Sequence, residues 1–236
     1  MSAPQIETIP DLQRHLQWAI ELEHSTIPPY LCALYSIPDG VNVSVSALIR
    51  SVVMEEMLHM VLAANLLNAI GGKPSIDHDT FVPSYPTFLP HSDDAFKVEL
   101  LPFGTRAIDT FLKIERPAAP GVKPKVSGYS TIGQFYLAIL EAFKRLASTE
   151  AGARELFSGH RSRQVSGSTW YYGGGGDPIE VHDLATAKRA IEEIAEQGEG
   201  LDHTIFDGDD QFGQVDELAH YFRFYEIRCG RRYLPT

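Results

Sequence analysis

Two stretches of this chain, "SVVMEEMLHMVLAANLL" (51–67) and "DELAHYFRFYEIRCGRR" (216–232), carry Glu-x-x-His in apolar company. The pairs are Glu56 with His59 and Glu217 with His220. Residues three apart on a helix share a face, so each pair aims a carboxylate and an imidazole the same way. The direction is inward: Ile49, Val52, Glu56, His59, Ala63 and Leu66 follow one another at steps of three and four, as do Glu217, His220, Phe224 and Ile227. A further acid, Glu23, falls in the series Leu16, Ile20, Glu23, Ile27, whereas Glu21 shares its face with Arg14, Gln17 and Ser25. A carboxylate on an apolar face must be neutralised, hydrogen-bonded or bound to a cation. No lysine or arginine shares these stripes, which makes a metal the expected cation.

Four-helix di-iron and di-manganese proteins meet this need with a Glu from each of two helices and a Glu-x-x-His from each of the other two. Carboxylate oxygen and imidazole nitrogen suit iron or manganese, with zinc as an alternative, and bridging carboxylates hold two ions roughly 3.5–4 Å apart. Antiparallel helices bring together residues equidistant from their turn, and Glu23 and Glu56 are centred on Asp39-Gly40. Glu199 and Glu217 are likewise centred on Gly208, and Glu199 extends the stripe of Ile191 and Ala195. The candidate ligands are therefore Glu23, Glu56, His59, Glu199, Glu217 and His220. Glu141, near Leu137 and Ala138 but on a face with Lys144 and Arg145, stays open as a replacement for Glu199 or an addition to it.

These residues need helices to hold them, and the apolar spacing predicts five, at about 9–35, 44–70, 130–147, 183–199 and 216–228. Pro28 and Pro29 lack N–H groups, so a kink or restart is expected in the first. "IPDGVNVS" is a turn in which Ser44 or Ser46 could cap the second helix, and Gly71-Gly72 with Pro74 ends it. Residues 71–129 form a Pro-rich ordered crossover with a minor helix in "RAIDTFLKIERP". A Gly-rich loop covers 158–178, and Asp183 caps the next helix, which ends at Gly198 or Gly200. The expected fold class is all-α, one domain over 1–236: a four-helix bundle with a long crossover and loop elaborations. Arg161 and Tyr172 belong to the Gly-rich loop, which reads equally as a surface loop or as a lid over a substrate. His24 reads as a surface group or a support to the ligands. Tyr30, Tyr136 and Tyr221 read as core aromatics with bonded hydroxyls.

Composition narrows the partners. Of 236 residues, 20 are basic and 31 acidic, for a formal charge of −11 that repels nucleic acid and anionic lipid. No apolar run approaches the ~20 residues of a membrane span, and the first residues lack a basic region leading into an apolar one. Cys32 and Cys229 are the two cysteines, read as free thiols in a reducing, cytoplasmic setting.

Taken together, "AIELEHSTIPPYLCALYSI", "SVVMEEMLHMVLAANLLNAIGG", "IERP", "YSTIGQFY", "EQGEG" and "ELAHYFRFYEI" resemble the ferritin-like proteins of the iminophenyl-pyruvate dimer synthase type, from about residue 10 to 232. The resemblance implies a ferritin-like bundle with metal at Glu23, Glu56, His59, Glu217 and His220, and "EQGEG" adds weight to Glu199. It also implies secondary metabolism, the family being named for bisindole pathways. The expected function is a non-haem dimetal oxidoreductase or oxygenase, with two ions, iron foremost, acting on a small amino-acid- or keto-acid-derived metabolite. The alternatives are an iron-oxidising or metal-storage protein and a non-catalytic helical binding module, and a homo-oligomer stays open.

Overall fold

The computed structural model describes residues 6–167, 175–200, 204–207 and 218–233. The first helix, α1 (Ile9–Tyr35), starts at a reciprocal cap: the Thr8 hydroxyl accepts the Asp11 N–H at 3.2 Å and Asp11 accepts the Thr8 N–H at 3.1 Å. It runs through Pro28 and Pro29 without the expected restart. The carbonyl that Pro29 cannot bond, on Ser25, instead accepts the Tyr85 hydroxyl at 2.7 Å. A side chain from the crossover thus supplies the donor that proline removed.

Helix α2 (Val43–Ala69) packs along α1. Its N-cap is Asn42 in the left-handed region (φ 48°) with no side-chain bond, so neither Ser44 nor Ser46 caps it. Beyond it Gly71 adopts φ 74° and the Gly72 N–H returns to the Leu67 carbonyl at 2.9 Å. The crossover then leads to α3 (Thr105–Ile114), whose Ile108, Phe111 and Ile114 are buried. The Phe111 ring lies 4.5 Å from Tyr30 and 5.1 Å from Phe224, tying the crossover to both ends of the chain. Pro117 disfavours helical backbone at Arg116, and α3 stops with Glu115 as its C-cap.

Helix α4 (Ile132–Leu146) is capped by Thr131. A short α5 (Glu150–Leu156) follows that apolar spacing did not indicate, because Leu156 is its one buried residue; its start comes from Thr149, which accepts the Gly152 N–H at 3.0 Å. A single 3-10 turn spans Arg161–Arg163. Helix α6 (Leu184–Glu199) opens on an Asp183–Thr186 capping box and closes at Gly200, and α7 (His220–Cys229) closes at Gly230.

Contacts run α1–α2, α2–α6, α6–α4 and α4–α1, closing a four-helix ring, with α7 packed against α2, α3 and α6. The ring is therefore completed by α4 rather than by the helix carrying His220. Leu16, Ile20, Val52, Leu62, Ile139 and Phe143 are fully buried inside, each such side chain contributing about 1.5–3 kcal/mol. Among the described residues there is no strand, only isolated bridges such as Thr87 with Val98, and no helix is long and apolar enough to cross a membrane.

Candidate metal centre

Inside the ring lies a group of polar side chains that the core buries almost entirely: Glu23, Glu56, His59, Glu115 and His220. Glu23 comes from α1, Glu56 and His59 from α2, Glu115 from the end of α3 and His220 from the first position of α7. Their potential ligand atoms form two overlapping groups, Glu23–Glu56–His59 and Glu56–Glu115–His220, each within 4.8 Å. Glu56 is common to both.

Each carboxylate has one oxygen held by a hydroxyl and the other turned towards an imidazole. Tyr136 donates to Glu23 Oε1, and Glu23 Oε2 lies 3.6 Å from His59 Nδ1. Thr26 donates to Glu56 Oε2 at 2.6 Å, and Glu56 Oε1 lies 3.0 Å from His220 Nδ1. Tyr30 donates to Glu115 Oε1, and Glu115 Oε2 lies 3.5 Å from the same Nδ1. The imidazoles are oriented from behind: His59 Nε2 pairs with Gln197 Oε1 at 2.8 Å and His220 Nε2 with Glu55 Oε2 at 2.7 Å. Both rings consequently present Nδ1 inward. Glu55 is held in turn by Arg223 at 2.7 Å, and Arg223 also pairs with Asp207 at 2.6 Å.

His220 Nδ1 is the telling atom. It is buried close to two carboxylates but makes no aligned hydrogen bond to either. A buried nitrogen without a hydrogen-bond partner, facing carboxylate oxygens, is what an imidazole ligand looks like before a cation arrives, so the donor set fits a metal. The electrostatics agree. Burial, with the charge of Glu115 beside it, pushes the Glu56 carboxyl up to about 7. Burial alone would lower His220, but the nearby carboxylates of Glu115 and Glu56 and the hydrogen bond to Glu55 outweigh it and raise it well above the ordinary range. His59 is raised in the same way by Glu23. Burial and the adjoining carboxylates also raise the Tyr30 and Tyr136 phenols well above 10, so both keep their protons.

The sequence expectations are distributed unevenly over this geometry. Glu23, Glu56, His59 and His220 come together. Glu217 lies outside the described residues, as does Tyr172. Glu199 lines the same cavity but belongs to neither group; its Oε1 accepts the Gly133 N–H at 3.0 Å, at the N-terminus of α4. Glu141 is exposed on α4, and Arg161 is exposed and does not line the cavity. The His24 ring lies tilted against Phe81 with centroids 4.5 Å apart, and His24 belongs to neither ligand group. The expectation that no lysine or arginine shares the inward stripes needs correction: Arg223, three residues after His220, is buried and paired with Glu55.

Glu115, Gln197 and Glu55 were the residues that sequence reasoning missed. Glu115 continues the spacing of Ile108 and Phe111 and sits in "IERP", so its signal was present. Gln197 stands on the buried line of Ala190 and Ile194, at steps of four and three. Glu55 had no such signal, since its role depends on α7 lying against α2.

The sequence model described as ferritin-like matches residues 16–229. The chain belongs to the ferritin-like family. A crystal structure of a ferritin-like protein from Caulobacter vibrioides superposes with a TM-score of 0.67 at 28% identity, covering 95% of this chain and 74% of that one. Among curated ferritin-like relatives, 2-imino-3-(indol-3-yl)propanoate dimerase of Chromobacterium violaceum is 26% identical over 83% of this chain and 21% of its own length. Dichlorochromopyrrolate synthase of Lentzea aerocolonigenes is 25% identical over 96% of this chain and 25% of its own length. The chain thus spans a quarter or less of the curated relatives it matches.

Proposed function

We propose that this protein is a dimetal, iron-dependent oxidoreductase or oxygenase acting on a small amino-acid- or keto-acid-derived metabolite. The observation that carries the reading is the pair of buried ligand groups sharing Glu56, each with an inward-facing imidazole Nδ1. Glu23, Glu56 and His59 would hold one ion and Glu56, Glu115 and His220 the other, Glu56 being common to both groups. Glu199 on the cavity wall and Glu217, three residues before His220 in the sequence, remain candidates to complete the set. Iron held there supplies one-electron redox chemistry towards dioxygen or peroxide.

The protein's own residues prepare that chemistry. Tyr30, Tyr136 and Thr26 each hold one oxygen of Glu115, Glu23 and Glu56, which orients the opposite oxygens inward. Gln197 and Glu55 fix the imidazole rings through Nε2, so that Nδ1 is the nitrogen that would be offered to a cation. The apolar ring around them excludes bulk water. The names of the two curated relatives, an imino-acid dimerase and a chromopyrrolate synthase, support a small organic substrate rather than storage.

Elemental analysis of purified protein tests the reading, with Glu56→Ala expected to lose both ions and His220→Ala or Glu115→Ala one. A folded protein that takes up no iron, manganese or zinc would sink it. Oxygen consumption dependent on an added amino or keto acid supports an oxygenase; a cage-sized particle by light scattering, with no such dependence, points to storage instead.

A further inference from the structure

The inner cavity is sized for ions and water, at ≈ 20 Å³, which holds about one or two water molecules. No organic substrate fits among the candidate ligands. A larger cleft of ≈ 470 Å³ lies against its outer side, within the ~300–1,000 Å³ typical of small-molecule sites. Gly133, Tyr136, Ala195 and Glu199 line both spaces, so one layer of side chains separates them. The Glu199 carboxylate fits in that layer because position 133 is glycine: a Cβ there would stand 2.2 Å from Glu199 Oε1.

The walls of this cleft define what it accepts. Leu137, Leu140 and Ile191 supply an apolar face, and Leu137 remains 40% exposed within it. The charged groups among its described lining residues are Glu192, Glu196 and Glu199, all acidic and all on α6, with no lysine, arginine or histidine. Lys188 meets Glu192 at 3.1 Å from one helical turn back and is not part of the lining. A lining of one sign favours ligands of the opposite charge, and the chain's net charge of −11 acts in the same sense.

We propose that the groove between α4, α6 and residues 118–122 is the organic-substrate site and that it selects a protonated amine with an apolar body. The body packs on Leu137, Leu140 and Ile191, the ammonium faces the α6 carboxylates, and a free keto acid is repelled. The assignment of this ligand as substrate rests on the dimetal reading above, and of the substrates named there it picks the amine-bearing kind.

The test is an amide NMR titration of the full chain, exposed to diamagnetic zinc, with 2-phenylethylamine and 3-phenylpropanoate, which share a ring and differ in charge. The amine is expected to shift amides of α4 and α6 and to bind about tenfold or more tightly than the acid, a difference of about 1.4 kcal/mol. Leu137→Lys, at an exposed position, is expected to reverse that order. Equal binding of the two probes, no binding of the amine, or an order unchanged in Leu137→Lys overturns the groove assignment. Metal content measured on the same samples separates the two ideas: a groove that selects the amine in a protein without metal sinks the dimetal reading alone, and metal bound without amine selection sinks the groove alone.

Discussion

At the scale of single residues, the site is a contest between protons and a cation for the same oxygens and nitrogens. Glu56, pushed up to about 7 by burial and by Glu115, would have to lose its proton to serve as a metal ligand. Metal uptake is therefore expected to weaken as pH falls through about 7 and to release protons above what free carboxylates would give, measurable by calorimetry in two buffers of different ionisation heat. Glu55 behaves oppositely. Burial opposes its ionisation, but Arg223 and the hydrogen bond from His220 hold it down at about 2, against an ordinary 4.5. Because the folded value is the lower one, its contribution to stability is full above 4.5 and is lost as pH falls towards 2. Glu55→Gln should lower stability above pH 4.5 and, in the folded protein, lower metal affinity about 10- to 100-fold, the usual effect of removing the group that orients a ligand imidazole. Arg223→Met should destabilise by about 3–5 kcal/mol in urea unfolding, since it removes the buried guanidinium that Glu55 and Asp207 share.

At the scale of elements, what matters is how helices of ordinary composition deliver polar groups to one point. Helix α1 carries Glu23 one turn before a proline pair, and its continuity depends on the crossover. Tyr85→Phe removes the hydroxyl that bonds the Ser25 carbonyl, and is expected to cost about 1 kcal/mol by urea unfolding. Helix α3 serves the site by stopping: Pro117 ends it where Glu115 turns inward, so lengthening it by Pro117→Ala should lower metal content rather than global stability. The apolar periods of α1, α2, α4 and α6 were legible because a helix facing a core repeats every three or four residues. Helix α5 was not, since a capping threonine and seven residues with one buried leucine leave no period to read.

At the scale of the whole molecule, the candidate ligands bring α1, α2, α3 and α7 together around one cavity. A cation bound there couples elements that are remote in sequence, so adding iron, manganese or zinc to chelator-treated protein should raise the melting temperature. At a hundredfold excess of free metal over Kd the gain is about 2.7 kcal/mol. The same addition to Glu56→Ala is expected to produce little or no shift, with differential scanning fluorimetry as the readout.

The sequence alone determined the helical class, the hairpin that pairs Glu23 with Glu56, and the inward aim of Glu56, His59 and His220. These follow from local periodicity and the symmetry of a turn, which depend only on residues close in the chain. It did not reveal Glu115 as the partner of His220, the Arg223–Glu55 pair that holds that histidine, or the attachment of Glu199 to the α4 N-terminus. Those were decided by tertiary structure, because each joins residues more than 60 positions apart, with separations of 105, 168 and 66. Whether a buried acid meets a cation, an arginine or a helix N-terminus depends on which helix lies beside it, and spacing along one helix carries no record of that neighbour.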